Sequence, residues 1–350
     1  MRGLAEGATG VDERGMEEGE RIAVVLPCYK SRDHVLGVIA GIGPEAFLIV
    51  AVDDACPMGT GRHIRETCRD PRVVVVENAT NLGVGGATMH GYRIALDRGA
   101  DIVVKMDSDG QMDPGLLPDV VHPVIAGLAD YAKGNRFFDL DGLTSMPRVR
   151  LFGNAGLSFL TKFATGYWNL FDPTNGYTAI HRVALQALPF ERIDRGYFFE
   201  SDVLFRLYLA GAVVIDVPMA ARYGAEQSGI EVRRVVFPFL FKNLRNFAKR
   251  VFYRYFLRDL NFGSVELVVG TALLLFGGIF GLMKWIDSAS SGIPATAGQA
   301  MLTGLPILVG VQMILGFFSF DFQAVPRVPL QVILGRVRRR VARRSRPDDA

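Results

Sequence analysis

Two long apolar segments near the end of the chain restrict what it can fold into. Residues 265–286 are apolar except for Glu266 near the start and Lys284 near the end, and residues 300–320 carry no charge. About 20 apolar residues in a helix cross the hydrocarbon core of a bilayer. Two buried helices of a soluble core are the alternative, and this length disfavours them. We therefore predict two membrane-spanning helices.

The flanks of these segments predict their orientation. The linker, residues 287–299, is nearly uncharged, whereas both outer flanks are rich in Arg and Lys. Because basic flanks remain on the cytoplasmic side, we expect a hairpin in the inner (plasma) membrane with both ends cytoplasmic. Gly277 and Gly281 form a G-x-x-x-G face for close helix contact, and Pro306 should bend the second helix. The glycine face would also allow a homo-oligomer.

The stretch before the hairpin mixes aromatic and basic side chains. Residues 231–258 contain eight aromatic and eight basic residues, a mixture typical of helices that lie in a membrane interface. Single-stranded nucleic acid would also tolerate it. The adjacent apolar segments favour lipid phosphate as the polyanion, so we expect no nucleic-acid partner. The Arg-rich tail should bind anionic headgroups in the same way.

The first two-thirds of the chain has the pattern of an α/β domain. Short apolar runs alternate with helical stretches, which indicates βαβ units and a mostly parallel sheet. The predicted strands are residues 22–26, 47–52, 73–76, 102–106 and 213–217. The three cysteines have no C-x-x-C spacing, so neither disulfides nor a zinc site is indicated. A reducing compartment fits this cysteine usage.

Carboxylates follow two of these strands. Asp107 and Asp109 come directly after the strand 102–106, where they can converge on one hard cation in the ligand crevice. They could instead be turn formers. A calcium loop would need a bidentate Glu where the chain has Pro118. Asp53 and Asp54 end the second strand, where they can hydrogen-bond a ribose or nucleobase or, alternatively, cap helices.

Further along, glycines and acidic residues mark the starts of two predicted helices. The motif N-L-G-V-G-G-A at residues 81–87 is expected to let a helix start pack tightly against the crevice. A basic passage that includes Arg148 is expected to be a loop. Glu200 and Asp202 begin a helix, where they either complement the helix dipole or take part in catalysis.

With these residues assembled, the chain resembles family 2 glycosyltransferases of the GT-A fold, which have a Rossmann-like, mostly parallel sheet. It is most similar to the branch that makes polyprenyl-phosphate sugars, such as dolichol-phosphate mannose synthases. The resemblance covers about residues 21–224 and extends to the two-helix tail. Its motifs are P-C-Y, V-D-D, N-L-G-V-G-G-A, M-D-S-D-G-Q, G-N-R-F, D-P-T-N-G-Y and F-F-E-S-D.

The resemblance implies roles for individual residues. Metal ligands for Mg²⁺ or Mn²⁺ at the donor diphosphate would be Asp107, Asp109 and Gln111. Catalytic or orienting carboxylates would be Asp107, Glu200 and Asp202. Nucleoside contacts would be Pro27, Tyr29, Asp53 and Asp54. Phosphate clamps for donor or acceptor would be Arg136, Arg148 and Arg222.

The implied reaction is metal-dependent transfer of one sugar, with inversion, from GDP-mannose or a UDP-hexose to undecaprenyl or dolichyl phosphate. It would take place on the cytoplasmic leaflet and supply glycan synthesis or modification of the cell envelope. The alternatives are a catalytically silent membrane scaffold, or a transferase with a different lipid or glycan acceptor. A processive polysaccharide synthase is disfavoured, because the chain has no Q-x-x-R-W motif and too few spans.

The sequence departs from the family's usual pattern around the nucleoside. Lys30 and Ser31 replace Asn-Glu, and Cys56 and Met58 replace Ser and Asp after V-D-D. The base of the donor is therefore not predicted. Five parts are expected in all: a disordered acidic leader without a signal peptide (1–20), the transferase domain (21–230), juxtamembrane helices (231–262), the hairpin (263–322) and a basic tail (323–350).

Overall fold

A computed structural model of the chain describes residues 19–138, 148–219 and 232–335. Arg222, most of the leader and most of the basic tail lie outside the described residues. The side chains of residues 148–154 and 232–236 also lie outside them. The predictions made for those parts therefore stay predictions.

A seven-stranded sheet forms the centre of the first domain. Its order is β3-β2-β1-β4-β6-β5-β7, and only β6 runs antiparallel to its neighbours. The strands are β1 (Ile22–Cys28), β2 (Ala46–Asp53), β3 (Val73–Glu77), β4 (Ile102–Lys105), β5 (Tyr131–Asn135), β6 (Thr178–His181) and β7 (Val214–Pro218). All five predicted strands are confirmed. The sequence prediction missed β5 and β6, because neither contains a continuous apolar run.

Helices cover both faces of this sheet. They are α1 (Arg32–Gly41), α2 (Thr60–Thr67), α3 (Gly83–Asp97), α4 (Leu117–Ile125), α5 (Arg148–Thr165), α6 (Arg182–Gln186) and α7 (Phe199–Ala210). Side chains alternate between faces along a strand, so Val103 packs in the cluster with α3 and α7, and Val104 in the cluster with α1 and α4. The passage that includes Arg148 was expected to be a loop; this was wrong, since it begins α5.

The sheet order creates a crevice between β1 and β4. These two strands are parallel neighbours, and the chain leaves β1 towards β2 on the opposite side from β4. Such a place, where the connections of two neighbouring strands run in opposite directions, is called a topological switch point. Ligands of open α/β sheets bind there, beyond the carboxyl ends of the strands. Pro27 and Tyr29 belong to one side of this crevice, and Asp107 and Asp109 belong to the other.

The helix before the hairpin, α8 (Val232–Phe252), turns its polar side inwards. Asn243, Asn246 and Arg250 are buried against the domain, whereas Phe237 and Phe241 are 77% and 69% exposed. A helix on the surface of a soluble protein normally has the opposite arrangement. The helix continues as a π-helical turn (Tyr253–Arg258), and the exposed apolar face continues with it.

Two apolar helices follow, α9 (Phe262–Ser291) and α10 (Ala297–Gln323), and both are long and apolar enough to cross a membrane. They pack on each other as a hairpin. A Cβ at Gly277 would lie 2.9 Å from the Thr303 carbonyl oxygen, and one at Gly281 would lie 2.4 Å from Thr303 Cγ2. The predicted glycine face is thus confirmed, and it is used inside the hairpin.

A buried ion pair connects the hairpin to the domain. Asp321, near the end of α10, accepts two hydrogen bonds from Arg250 of α8, at 2.6 and 2.9 Å. It also accepts from Tyr255 at 2.6 Å and from Trp168 at 3.1 Å. Arg250 and Asp321 are both completely buried. These four residues hold the end of α10 against the helices of the domain.

The chain returns to the domain after α10. The backbone amides of Leu330 and Gln331 donate to the buried carboxylate of Asp130 at 2.8 and 3.0 Å. The Gln331 side chain donates to the carbonyls of Val124 and Ala129. Because α8 leads into the hairpin from the same domain, both ends of the hairpin lie on the side of the domain.

Candidate active site

A buried lysine joins two carboxylates at the end of β4. Lys105 is 1% exposed, and its Nζ lies 2.8 Å from Asp107 Oδ1 and 3.3 Å from Glu200 Oε1. Burial by itself lowers the pKa of Lys105, but the two carboxylates outweigh it and raise the pKa above its usual value. This charge cluster (Lys105, Asp107 and Glu200) therefore keeps its cation across the physiological pH range.

Two separate parts of the chain build the charge cluster, and a third closes over it. Lys105 is the last residue of β4, Asp107 lies two residues further on, and Glu200 lies in the first turn of α7. The turn before β6 closes over them, since Lys105 Nζ also lies 3.4 Å from the Gly176 carbonyl oxygen. A Cβ at Gly176 would come within 2.6 Å of both Lys105 Nζ and Asp107 Oδ2. The glycine of D-P-T-N-G-Y is needed here for this close approach.

The loop after β4 offers oxygen donors suited to a divalent ion. Asp109 Oδ1 accepts from the Gln111 amide at 3.0 Å, and Asp107 and Asp109 are partly exposed. Across the three described stretches, no group of three or more His, Cys, Asp and Glu side chains could hold a metal ion. Mg²⁺ typically takes one or two carboxylates and completes its shell with water and substrate phosphates. The donors fit such an ion, and they do not form a closed protein cage.

Hydrogen bonds join the loops after β1, β2 and β4. Ser108 Oγ lies 2.7 Å from the Pro27 carbonyl oxygen and 2.8 Å from Ser31 Oγ. The Lys30 amide donates to Cys56 Sγ at 3.1 Å. Burial raises the pKa of Cys56, but hydrogen bonds from Thr60 and from backbone amides outweigh it, so the pKa lies below its usual value. Ser31 and Cys56, two departures from the family pattern, therefore stabilise this side of the crevice.

Tyr29 and Asp53 differ in how much they are exposed in the crevice. Tyr29 is 47% exposed, and Lys30 Nζ lies 5.5 Å from the centre of its ring. Asp53 is 5% exposed, and its two oxygens accept from the amides of Cys56 and Gly61. Tyr29 is thus available to a ligand, whereas Asp53 shapes the loop that leads into α2.

Asp54 holds the start of α3. Its carboxylate accepts from the Leu82 and Gly83 amides, both at 2.8 Å, and from Asn78 Nδ2 at 2.7 Å. Asp54 thus accepts from amides at the start of α3, and Asp53 accepts from an amide at the start of α2, as the helix-capping alternative expected. Their contact with a nucleoside stays a prediction. The glycines that follow pack on protein: a Cβ at Gly85 would lie 2.4 Å from the Asp194 carbonyl oxygen.

Of the three predicted phosphate clamps, the structure describes one side chain. Arg136, just after β5, makes a two-pronged contact with Asp172: Nε to Oδ2 at 2.8 Å and Nη2 to Oδ1 at 3.2 Å. Asp172 is completely buried, whereas Arg136 is 36% exposed. Arg136 is therefore held in place with part of its surface facing solvent. Arg148 begins α5, but the structure does not describe its side chain. Arg222 lies wholly outside the described residues.

Glu200 and Asp202 lie on different sides of α7. Residues two apart on a helix do not face the same way. Glu200 contacts Lys105, whereas Asp202 is 2% exposed and accepts from Arg206 Nε at 3.0 Å, from Asn246 Nδ2 at 3.1 Å and from the Asp194 amide at 3.0 Å. The structure does not bring Asp202 to the charge cluster. Its contacts instead hold α8 against α7.

Comparison with known proteins identifies the family. The profile of glycosyl transferase family 2 matches residues 23–188, which include the charge cluster's Lys105 and Asp107. Over 204 residues the chain is 33% identical to an undecaprenyl-phosphate mannosyltransferase from Micrococcus luteus, and the match covers 57% of this chain and 82% of the relative. The chain belongs to glycosyl transferase family 2.

Two further relatives extend this comparison. A polyprenol monophosphomannose synthase from Mycolicibacterium smegmatis is 30% identical over 245 residues, which are 67% of this chain and 91% of the relative. A UDP-N-acetylglucosamine–dolichyl-phosphate N-acetylglucosaminyltransferase from Methanococcus voltae is 29% identical over 197 residues, 52% of this chain and 78% of the relative. The protein is thus a glycosyltransferase, and its mostly parallel sheet is the fold class predicted from the sequence.

Sequence reasoning missed two buried lysines of this glycosyltransferase. Lys105 interrupts the apolar run of β4, and this was the only signal for it. Lys133 of β5 is completely buried and donates to the Asn175 carbonyl. Burial lowers the pKa of Lys133 to about 8, although Glu200 acts in the opposite direction. Two lysines therefore lie beneath the crevice, and neither belongs to a motif used in the sequence analysis.

Proposed function

We propose that this glycosyltransferase transfers a single sugar from a nucleotide-sugar donor to a polyprenyl phosphate. The observation that carries the proposal is the charge cluster at the crevice, in a domain that is joined to an apolar hairpin. The cluster combines carboxylate oxygens with the fixed ammonium group of Lys105, and solvent reaches it. These features suit a reaction between two phosphorylated substrates. The hairpin and the outward apolar face of α8 suit a substrate that resides in a bilayer.

The names of the relatives support this acceptor class. One is a mannosyltransferase of undecaprenyl phosphate, one makes polyprenol monophosphomannose, and one acts with dolichyl phosphate. The sugars differ among them, whereas the long-chain polyprenyl acceptor is shared. For this chain we therefore propose a polyprenyl phosphate, and GDP-mannose or a UDP-hexose as the donor.

The donor would lie across the crevice between β1 and β4. Tyr29 and the loops around Asp53 and Asp54 would surround the nucleoside, and Asp107, Asp109 and Gln111 would hold Mg²⁺ or Mn²⁺. The ion would stabilise the negative charge that develops on the departing nucleoside diphosphate. Lys105 would hold the Asp107 carboxylate in one orientation. Arg136 would face the phosphates, with Asp172 keeping its guanidinium in place.

The acceptor phosphate would attack the anomeric carbon directly. Its second pKa is about 6, so it is largely ionised near neutral pH and needs no strong general base. One carbon–oxygen bond forms as the bond to the diphosphate breaks, which inverts the anomeric centre without a covalent enzyme intermediate. Glu200, fixed by Lys105, would orient the reactants rather than remove a proton.

The domain would lie on the cytoplasmic leaflet. Phe237, Phe241, Leu244 and Phe252 share the exposed face of α8, and Arg245 and Lys249 are exposed beside it. This arrangement suits a helix with its apolar side in the bilayer and its cations at lipid phosphates. Basic flanks on both ends of the hairpin favour the cytoplasmic side. We keep residues 21–230 as the proposed extent of the transferase domain.

The test is donor turnover by the full-length protein in detergent. Radiolabelled GDP-mannose and UDP-hexoses are offered with undecaprenyl phosphate and Mg²⁺ or Mn²⁺, and label in the lipid fraction is counted. We expect one donor to give labelled lipid, with EDTA abolishing it. Asp109→Asn should lower the rate at least 100-fold. Asp119→Asn, an exposed aspartate of α4, is the matched control and should keep the wild-type rate.

Two results would contradict the proposal. No labelled lipid with any donor, in protein that still binds a nucleotide, would favour a silent scaffold or another acceptor. Full activity in EDTA would remove the role proposed for Asp107, Asp109 and Gln111. The anomeric configuration of the product, read by NMR, tests inversion independently of both results.

A further inference from the structure

Two adjoining cavities lie where the domain meets the base of the hairpin. The basic cavity, of about 290 Å³, is lined by residues that include Tyr208, Arg254, Arg258 and Arg327. The apolar cavity, of about 250 Å³, shares Tyr208, Arg254 and Arg258 with it and adds Leu209, Tyr253 and Leu257. A ligand with a negatively charged end and an apolar end could therefore contact basic side chains in one cavity and apolar side chains in the other.

The cavities lie at the level expected for lipid headgroups. Arg258 comes four residues before the start of α9 at Phe262, and Arg327 comes four residues after the end of α10 at Gln323. The two arginines thus flank the same end of the hairpin, one on each chain segment. This step rests on the proposal that the hairpin lies in a membrane.

The positive charge of the basic cavity is not neutralised by the described parts of the chain. In those parts, Arg254 and Arg327 make no ion pair, and the buried Arg254 Nε has no hydrogen-bond partner. Arg258 donates to the Leu209 carbonyl at 3.0 Å, at the end of α7. The buried carboxylate of Asp321 is already occupied by Arg250. Three cations therefore share one cavity without a carboxylate contact among these residues.

We propose that the basic cavity binds the phosphate of an anionic membrane phospholipid, and that the apolar cavity receives the adjoining part of its acyl chain. Guanidinium groups bind phosphate oxygens through paired, charge-assisted hydrogen bonds. Basic pockets beside membrane spans on the cytoplasmic side recognise anionic headgroups in this way. The bound lipid would complete the contact between Tyr208 of the domain and Arg327 beyond the hairpin.

This site is separate from the place where sugar transfer is proposed. Glu200 of the charge cluster lies near the start of α7, and Tyr208 lies near its end. Eight residues of α-helix span about 12 Å. A phosphate in the basic cavity is therefore too far away to attack a donor held at Asp107. The ligand is a resident lipid of the membrane and not the acceptor.

The test is lipid binding to the full-length protein, measured by native mass spectrometry from detergent. Phosphatidylglycerol, which carries a net negative charge, is titrated against phosphatidylcholine, which does not. We expect the wild type to prefer phosphatidylglycerol. In Arg254→Gln/Arg327→Gln the affinity for phosphatidylglycerol should fall about 30-fold. This corresponds to about 2 kcal/mol, at 1.4 kcal/mol per factor of ten. The matched control is Arg69→Gln/Arg98→Gln, two exposed cations of the first domain outside the cavities, and it should stay within threefold of wild type.

Several results would overturn this site. One is equal binding of the two phospholipids by the wild type, a result that needs no variant and no assumption about folding. Another is an equal loss in the control variant, which would indicate diffuse attraction. Displacement of phosphatidylglycerol by the same concentration of inorganic phosphate would make the ligand a soluble anion. Displacement by undecaprenyl phosphate would assign the cavity to the acceptor.

Failure of this inference can be told from failure of the proposed function. Liposome flotation after a carbonate wash reports whether the wild type is integrated in the bilayer. Protein that floats and transfers sugar but shows no phospholipid preference refutes the lipid site alone. Protein that does not float refutes the membrane placement, and the lipid site with it.

Discussion

Replacing Lys105 by Met tests whether the buried cation holds the carboxylates of the active site. The change keeps an unbranched side chain in β4 and removes the ammonium group that forms ion pairs with both Asp107 and Glu200. Removing one partner of a buried ion pair costs about 3–5 kcal/mol. Asp107 is 34% exposed, so solvent weakens the Lys105–Asp107 part of this interaction energy. We expect a loss of about 2–3 kcal/mol in the free energy of unfolding.

The effect on turnover should be larger than the stability loss alone explains. Without Lys105, nothing described fixes the Asp107 carboxylate, and a displacement of about 1 Å in such a group can cost about 100-fold in rate. The rate is measured as labelled lipid per minute on protein shown by thermal unfolding to be folded at the assay temperature. Lys133→Met is the matched control, since it also removes a buried lysine of the sheet but breaks no carboxylate contact.

A double-mutant cycle isolates the contact itself. If Lys105 and Glu200 interact as the 3.3 Å distance indicates, Lys105→Met/Glu200→Gln should cost less stability than the sum of the single changes, by about 1–3 kcal/mol. Additive losses would show that the two side chains do not interact. A Lys105→Met enzyme within threefold of the wild-type rate would refute the positioning role, whatever its stability.

Three further predictions concern stability. Burial lowers the pKa of Lys133 from 10.5 to about 8, so at this residue the unfolded chain binds more protons than the native chain between these pH values. The contribution of Lys133 to the free energy of unfolding should therefore rise by about 3 kcal/mol from pH 8 to 10.5. Denaturant unfolding of the wild type and of Lys133→Met at both pH values checks this: the difference between the two proteins should change by that amount, and a constant difference would contradict it. Asp202→Asn should lower the melting temperature while the folded protein keeps most of its turnover; an unchanged melting temperature with lost turnover would reverse this assignment. Asp321→Asn should cost about 3–5 kcal/mol, because it leaves the buried Arg250 without its counter-ion. Arg250→Met/Asp321→Leu should cost less than that, and an equal loss in thermal unfolding would contradict the reasoning.

Contacts between distant parts of the chain explain which roles could be assigned only from the structure. The Lys105–Glu200 contact joins residues 95 positions apart, and the Arg250–Asp321 pair joins residues 71 apart. No local pattern signals such a pair. Asp202 shows the same limit, since its place in F-F-E-S-D does not reveal that Asn246 of α8 contacts it.

The sequence by itself determined the elements whose signal is local. Five strands, the two apolar helices and the carboxylates after β4 follow from runs, lengths and spacings of neighbouring residues, and the motif order indicated the family. The tertiary structure decided what depends on packing: strands β5 and β6, the helix at Arg148, the inward polar face of α8 and the Lys105 cation. The physical reason is that burial and charge pairing are set by residues far apart in sequence, which meet only once the sheet and helices have assembled.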